Sequence, residues 1–209
     1  MEISTNSFTH GGPIPSRYAL AKPDPESRVA FSDNVNPHLG WSDVPDGTRS
    51  FALIVHDYDV PSKGDDVNQP DREVPEDLTR VDFFHWVLVD IPADKRSIEE
   101  GEFSSGVEAG GKQARHGPHG TRQGVNDFTG WFAGDEEMAG TYYGYDGCAP
   151  PWNDSVLHHY VFTLYALDVS RLDLEGDFTG QDVRDAIDGH VLAEASFEGT
   201  YTQNPRLLD

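Results

Sequence analysis

The sequence predicts a mainly β domain, and three observations predict it. Glycine and proline are frequent, with 21 and 14 copies among 209 residues, which disfavours a helical bundle and suits short strands joined by turns. Apolar segments of strand length recur along the chain, each bounded by polar or breaker residues. Near the C terminus, apolar and polar residues alternate with the period of two that a half-buried strand requires. The length is that of about one domain, taken as residues 1–209, and is enough to bury a sizeable core.

Taken in order, residues 1–50 are rich in turns, with Gly11-Gly12-Pro13, Pro23-Asp24-Pro25 and Pro45-Asp46-Gly47. Ser50 to His56 is apolar on both faces, the mark of a central buried strand. Phe83 to Ile91 is a second strand, stopped by Pro92, and His158 to Leu167 is a third. Val191, Ala193, Ala195, Phe197 and Tyr201 fall on odd positions with Glu194, Ser196 and Glu198 between them, so this strand has one wet face. Thr179-Gly180-Gln181-Asp182 resembles a capping box, with Val183, Ala186 and Ile187 following at helical spacing and Gly189 placed to end the helix. A second short helix is expected near Asp94. Residues 62–82 form a polar, mixed-charge insertion with two prolines, read as a loop.

The charge balance, 37 acidic against 15 basic residues for a formal net charge of −22, repels phosphate backbones and anionic lipid surfaces, so nucleic acid is not an expected partner. Four lysines, Lys22, Lys63, Lys95 and Lys112, against abundant aspartate suggest a surface adapted to molar salt. No apolar run reaches membrane-span length, so stable membrane insertion is not expected. The N terminus lacks a basic region followed by an apolar stretch, and no leader is expected. The single cysteine, Cys148, excludes an intrachain disulfide. A cytoplasmic, salt-rich setting is the expectation.

Four segments could carry chemistry. Asp57-Tyr58-Asp59-Val60-Pro61 places two carboxylates where a buried strand reaches the rim of the core, although turn chemistry alone explains such residues. His85-Trp86 lies inside an apolar strand, where a satisfied core histidine and a packing tryptophan are the ordinary reading. Gly144 to Pro151 combines glycines with Pro150-Pro151; it can form an anion-holding concavity or an ordinary rigid turn. His158-His159-Tyr160 opens the third strand, where adjacent side chains point to opposite faces. That argues against a metal site built from the two adjacent histidines; ligands from Asp57, His85 and His158 are conceivable, but nothing in the spacing demands a metal, and no cofactor is called for.

In order along the chain these segments resemble the phosphatidylethanolamine-binding protein family, which includes the Raf kinase inhibitor proteins, and within it the bacterial and archaeal YbhB/YbcL-like branch. Asp57 to Pro61 is similar to the family's D-P-D-A-P motif, with Tyr58 and Val60 as departures. His85-Trp86 matches its H-W, Gly144 to Pro151 its G-x-x-x-x-P-P, and His158-His159-Tyr160 its H-R-Y with His159 in place of arginine. Asn36 to Trp41, Val44 to Thr48 and Gly189 to Ala195 extend the likeness to most of the chain, excepting 62–82 and parts of 112–140.

The resemblance implies a large antiparallel-rich β-sheet packed on a smaller sheet in Greek-key order, with a few peripheral helices. It also implies a small pocket for phosphate-like or carboxylate-like anions. Carried over residue by residue, Asp57, Asp59, His85 and His158 would line or border that pocket. Gly147 and Cys148 would belong to its donor loop, Trp86 and Tyr160 would shape its wall, and Pro61 would fix its rim. A charged histidine beside a carboxylate would donate to the anion, and the 62–82 insertion would partly cover the mouth. The leading expectation is thus a binding protein for small anions or phosphorylated headgroups, with a regulatory role, a homodimeric state and an unspecified protein partner as further implications. The alternatives are a hydrolase using an Asp/His acid–base pair, with Ser155 or Cys148 as conceivable nucleophile, and an interaction protein with a vestigial pocket.

Overall fold

A computed structural model describes residues 1–208. Ten strands and two short α-helices follow in order: β1 (Glu2–Ser4), β2 (Ala21–Asp24), β3 (Arg28–Phe31), β4 (Leu39–Ser42), β5 (Ser50–Pro61), β6 (Arg80–Pro92), β7 (Ser97–Ile98), β8 (Arg122–Gln123), α1 (Phe128–Trp131), β9 (His158–Leu167), α2 (Gly180–Ala186) and β10 (Val191–Tyr201). The large sheet is antiparallel, in the order β10-β9-β5-β6-β8. A three-stranded sheet, β1-β4-β7, packs against it, and β2 and β3 form a separate hairpin.

β5 runs through the middle of the large sheet, as its two apolar faces require. One face carries Phe51, Leu53, Val55, Trp86, Leu88, Phe162 and Leu164, which pack with Leu39, Trp41 and Ile98 of the small sheet. The other carries Ala52, Ile54, Phe84, Val87 and Val89, covered by Leu172, Phe178, Val183 of α2 and Ile187 just after it. β10 alternates from Phe197 onward, with Phe197, Gly199 and Tyr201 buried and the residues between them half-exposed.

The α2 capping box is complete. The Thr179 hydroxyl accepts from the Asp182 N–H at 3.3 Å and the Asp182 carboxylate accepts from the Thr179 N–H at 2.8 Å. Gly189 adopts φ +80°, the left-handed conformation expected of a residue that ends a helix. The helix expected near Asp94 is absent. There the chain makes a tight turn, in which the Lys95 N–H donates to the Pro92 carbonyl at 3.0 Å. The four-residue α1 forms instead, because Phe128 is buried against Phe132 and Tyr142. No helix among the described residues is long and apolar enough to cross a membrane.

A candidate ligand-binding cleft

Two β-bulges build the site. Along the β5–β6 ladder, Val55 opposes Trp86 and His56 opposes Phe84, so His85 is an extra residue in β6. Farther on, Asp57 opposes Phe83 and Val60 opposes Val81, so β5 carries an extra residue after Asp57. A bulge bends its strand and re-aims side chains, and bulges concentrate beside functional sites. The Asp57 carboxylate supports the second bulge by accepting the Asp59 N–H at 2.8 Å. On β9 the regular alternation turns His158 and Tyr160 inward together and His159 to the other side.

These residues form the floor of a cleft of about 270 Å³. Asp57, His85, His158 and Tyr160 lie at its base, and Val81, Phe83, Phe128, Trp131 and the Ala149-Pro150-Pro151 segment make mainly apolar walls. Pro61 stands at the rim. Ser62, Lys63, Gly64, Val67 and Asn68 of the insertion line the mouth. The insertion is held down from beneath. The buried Asn153 amide donates to the carbonyls of Asp66, Gln69 and Arg72 at 2.8, 3.2 and 3.0 Å, and its oxygen accepts the Asn68 N–H at 2.8 Å. Val74 is fully buried and bridges to Asp154.

His158 is clasped between two carboxylates, with Nδ1 at 2.7 Å from Asp57 and Nε2 at 3.0 Å from Asp154. Burial alone would lower its pKa. The charge of Asp57 and the hydrogen bonds to both carboxylates outweigh burial and raise it to about 9, so His158 is an imidazolium at neutral pH. Asp154 also receives a two-pronged contact from Arg80 at 2.6 and 3.0 Å. Burial opposes its ionisation, but the His158 and Arg80 hydrogen bonds hold its carboxyl below the usual range. Two acids and two bases therefore cancel within one buried network.

His85 is the opposite case. Burial lowers its pKa to about 4, against the weaker opposing pulls of Asp57 and of the Asp146 and Gly147 backbone. Its Nδ1 lies 2.9 Å from the Asp146 carbonyl. A carbonyl only accepts, so Nδ1 carries the proton and Nε2 presents a lone pair. Tyr160 is 1% exposed, and its hydroxyl has no hydrogen-bond partner among the described residues.

The cleft thus brings together Asp57, Pro61, His85, His158 and Tyr160. Asp59, Trp86, Gly147 and Cys148 are not among its lining residues. Asp59 bonds both the backbone and the ring of His159, at 2.9 and 2.8 Å. His159 also stacks on Tyr58, at 5.4 Å between ring centres. The histidine in place of the family's arginine therefore serves this outer contact. Trp86 points into the core against Phe103 and Tyr145, on the same side of the sheet as Val55 and Tyr160 and next to the bulged His85. The Gly147 N–H, expected to serve a ligand, donates to the Asn34 side chain at 2.9 Å. A Cβ at Gly147 would lie 2.0 Å from the Tyr18 carbonyl oxygen, so this glycine is required for close packing. The expected donation from charged His158 to an anion is corrected as well: both of its ring nitrogens are already engaged by carboxylates.

Sequence reading missed Asp154, Arg80 and Asn153. Their signal was slight: Asn153-Asp154 follows Pro150-Pro151, with Asp154 four residues before His158. The nucleophiles weighed for hydrolysis do not form a catalytic set. Cys148 is buried, which pushes its thiol well above the usual range, and the Ser155 hydroxyl donates to the Val74 carbonyl at 2.8 Å. No cluster of three or more His, Cys, Asp or Glu side chains suited to a metal ion occurs among the described residues.

Comparison with known proteins agrees with this architecture. A YbhB protein of Escherichia coli is 31% identical over 202 residues, covering 97% of this chain and 100% of that protein. A protein of Methanothermobacter thermautotrophicus is 35% identical over 201 residues, covering 96% and 98%. The crystal structure of E. coli YbcL, described as a member of the mammalian PEBP family, superposes with a TM-score of 0.68 at 25% identity, covering 96% of this chain and 97% of that one. The sequence profile of the phosphatidylethanolamine-binding proteins matches residues 4–202, from β1 through the motif segments to the end of β10, and the chain belongs to that family.

Proposed function

We propose that the cleft binds small anions, with phosphorylated headgroups as the favoured class, and that the protein acts by binding rather than by catalysis. Family membership supports a ligand-binding role in general. One observation carries the finer reading. At the floor, the buried Tyr160 hydroxyl makes no hydrogen bond within the protein, although a buried polar atom is ordinarily satisfied, and beside it His85 presents the lone pair of Nε2. A ligand oxygen accepting from Tyr160 supplies the missing contact. The neighbouring charges of Asp57, Asp154, His158 and Arg80 cancel, so the floor does not repel an anion outright. The exposed Lys63 at the mouth adds a cation in a strongly acidic chain. In this reading the acidic, lysine-poor surface belongs to a protein working in a salt-rich cytosol.

The test is calorimetric titration of O-phosphoethanolamine and inorganic phosphate in concentrated KCl, with wild type and Tyr160→Phe. Saturable binding, weakened about tenfold in the variant by loss of one hydrogen bond to a charged group, is the expected result. Absence of both heat and thermal stabilisation in the wild type would remove the anion-site reading.

A further inference from the structure

The reading of the cleft as a small-anion site leaves open which anions it admits, and the polar groups at the floor bear on that choice. The Nδ1 proton of His85 is committed to the Asp146 carbonyl at 2.9 Å, so the ring offers Nε2 as an acceptor. Asp57 is a second acceptor, with one oxygen on the Asp59 N–H at 2.8 Å and the other on His158 at 2.7 Å. His158 has no N–H left to give, since its second nitrogen faces Asp154. The backbone N–H of Gly147 is taken by Asn34. The floor therefore holds one donor not fixed in a close hydrogen bond, the Tyr160 hydroxyl, which faces the Asp57 carboxylate and would turn from it to a ligand oxygen; it stands beside the lone pair of His85, whose ring centre lies 5.1 Å from the tyrosine ring centre.

From this donor and acceptor pattern we infer that the cleft selects phosphoryl groups that carry a proton and excludes sulfuryl groups. The ligand's P–OH donates to His85 Nε2, and an unprotonated oxygen of the same group accepts from Tyr160. A fully ionised oxygen would instead face the Nε2 lone pair and the Asp57 carboxylate, with nothing to donate to either. A sulfate ester has no proton to bring near neutral pH, whereas a phosphate monoester has a second pKa of about 6. At higher pH the phosphate ligand takes up one proton from solvent on binding, and that proton lies between the phosphoryl oxygen and Nε2. The groups facing His85 favour this arrangement. Asp57 from β5 is the nearby negative charge, and imidazolium His158 from β9 opposes a second positive one. The Phe83 and Phe128 rings, centred 5.0 and 5.3 Å away, exclude water. Burial keeps the empty ring neutral down to about pH 4.

O-phosphoethanolamine and O-sulfoethanolamine form a matched pair, identical in their ammonium end. Both are titrated at fixed KCl into the wild type and into His85→Gln, whose side-chain amide brings N–H donors of similar reach. The expected preference for the phosphate ester near pH 6 is at least about tenfold, as for a polar group left unpaired. Phosphate-ester affinity should fall about tenfold per pH unit above its second pKa. Heats at pH 8 in two buffers of different ionisation enthalpy should report uptake of one proton. In His85→Gln the preference should narrow and the proton uptake should vanish. Equal affinities for the two esters in wild type, with buffer-independent heats, would overturn this inference while leaving the cleft an anion site. Failure of both esters to bind or to stabilise the wild type would overturn both readings. The wild-type measurements decide the matter even if the variant does not fold.

Discussion

The two histidines on the cleft floor, His85 and His158, are both sealed from solvent, at 3% and 0% exposure, yet hold opposite charge states. Burial pushes both towards neutrality. His158 resists because two carboxylates grip its ring, at 2.7 and 3.0 Å. His85 yields because its ring-nitrogen hydrogen bond goes to a neutral carbonyl. What separates them is the number of carboxylates in direct contact. The lesson is that a histidine motif does not identify a cation: one of these rings holds the charged network together, and the other is a neutral ring lining the cleft.

The largest expected effect comes from breaking the charged side of this comparison. Asp154→Ala leaves His158 and Arg80 without their shared carboxylate, and removing one partner of a buried charged network costs about 3–5 kcal/mol. Urea unfolding at fixed KCl measures it. A loss below about 1 kcal/mol would mean that the network contributes nothing beyond an ordinary surface pair.

Next in size is the pH dependence, in which the two histidines act in opposite directions. His158 has its folded pKa raised from 6.5 to about 9, so its contribution is complete below about 6.5 and is lost as pH rises through about 9. His85 has its folded pKa lowered from 6.5 to about 4, so its contribution is complete above about 6.5 and is lost as pH falls through about 4. Each shift corresponds to about 3 kcal/mol. Their sum is a dome with its maximum near pH 6.5. His85→Gln should flatten the acid limb and His158→Gln the alkaline limb. A wild-type profile flat from pH 5 to 9 would sink the assignment of opposite charge states.

The smallest effect concerns the mouth of the cleft. Asn153→Ala removes the amide that ties three carbonyls and one N–H of the insertion, leaving backbone groups to find water, at about 1–3 kcal/mol of local stability. Hydrogen exchange should quicken for the amides of residues 66–74, while those of β5 and β9 keep their protection. Uniform acceleration across the sheet would show that Asn153 supports the whole fold and not the cover alone.

Much of the fold was legible in the sequence because it rests on local regularities. The apolar run from Ser50 to His56, the alternation from Val191 to Tyr201 and the Thr179–Asp182 capping box each follow from the period or the terminus chemistry of one element. The short helix expected near Asp94 failed where no apolar face called for one. α1 formed around a single buried Phe128, a packing fact with no periodic trace in the sequence. The motif segments, read together, led to the correct family, and four of their residues, Asp57, His85, His158 and Tyr160, line one cleft.

What the sequence determined by itself was therefore the strand-rich class, the acidic surface, the capped helix and the ordered set of motif residues. Only the tertiary structure decided which of those residues meet. Strand register belongs to pairs of strands, and one extra residue in β5 after Asp57 and another in β6 at His85 reset the facing of neighbouring side chains. Those two bulges turn His85 into the cleft while Trp86 goes into the core, and leave Asp57 on His158 while Asp59 goes to His159. The charge on each histidine then follows from contacts between residues as far as 101 positions apart, which no local pattern encodes.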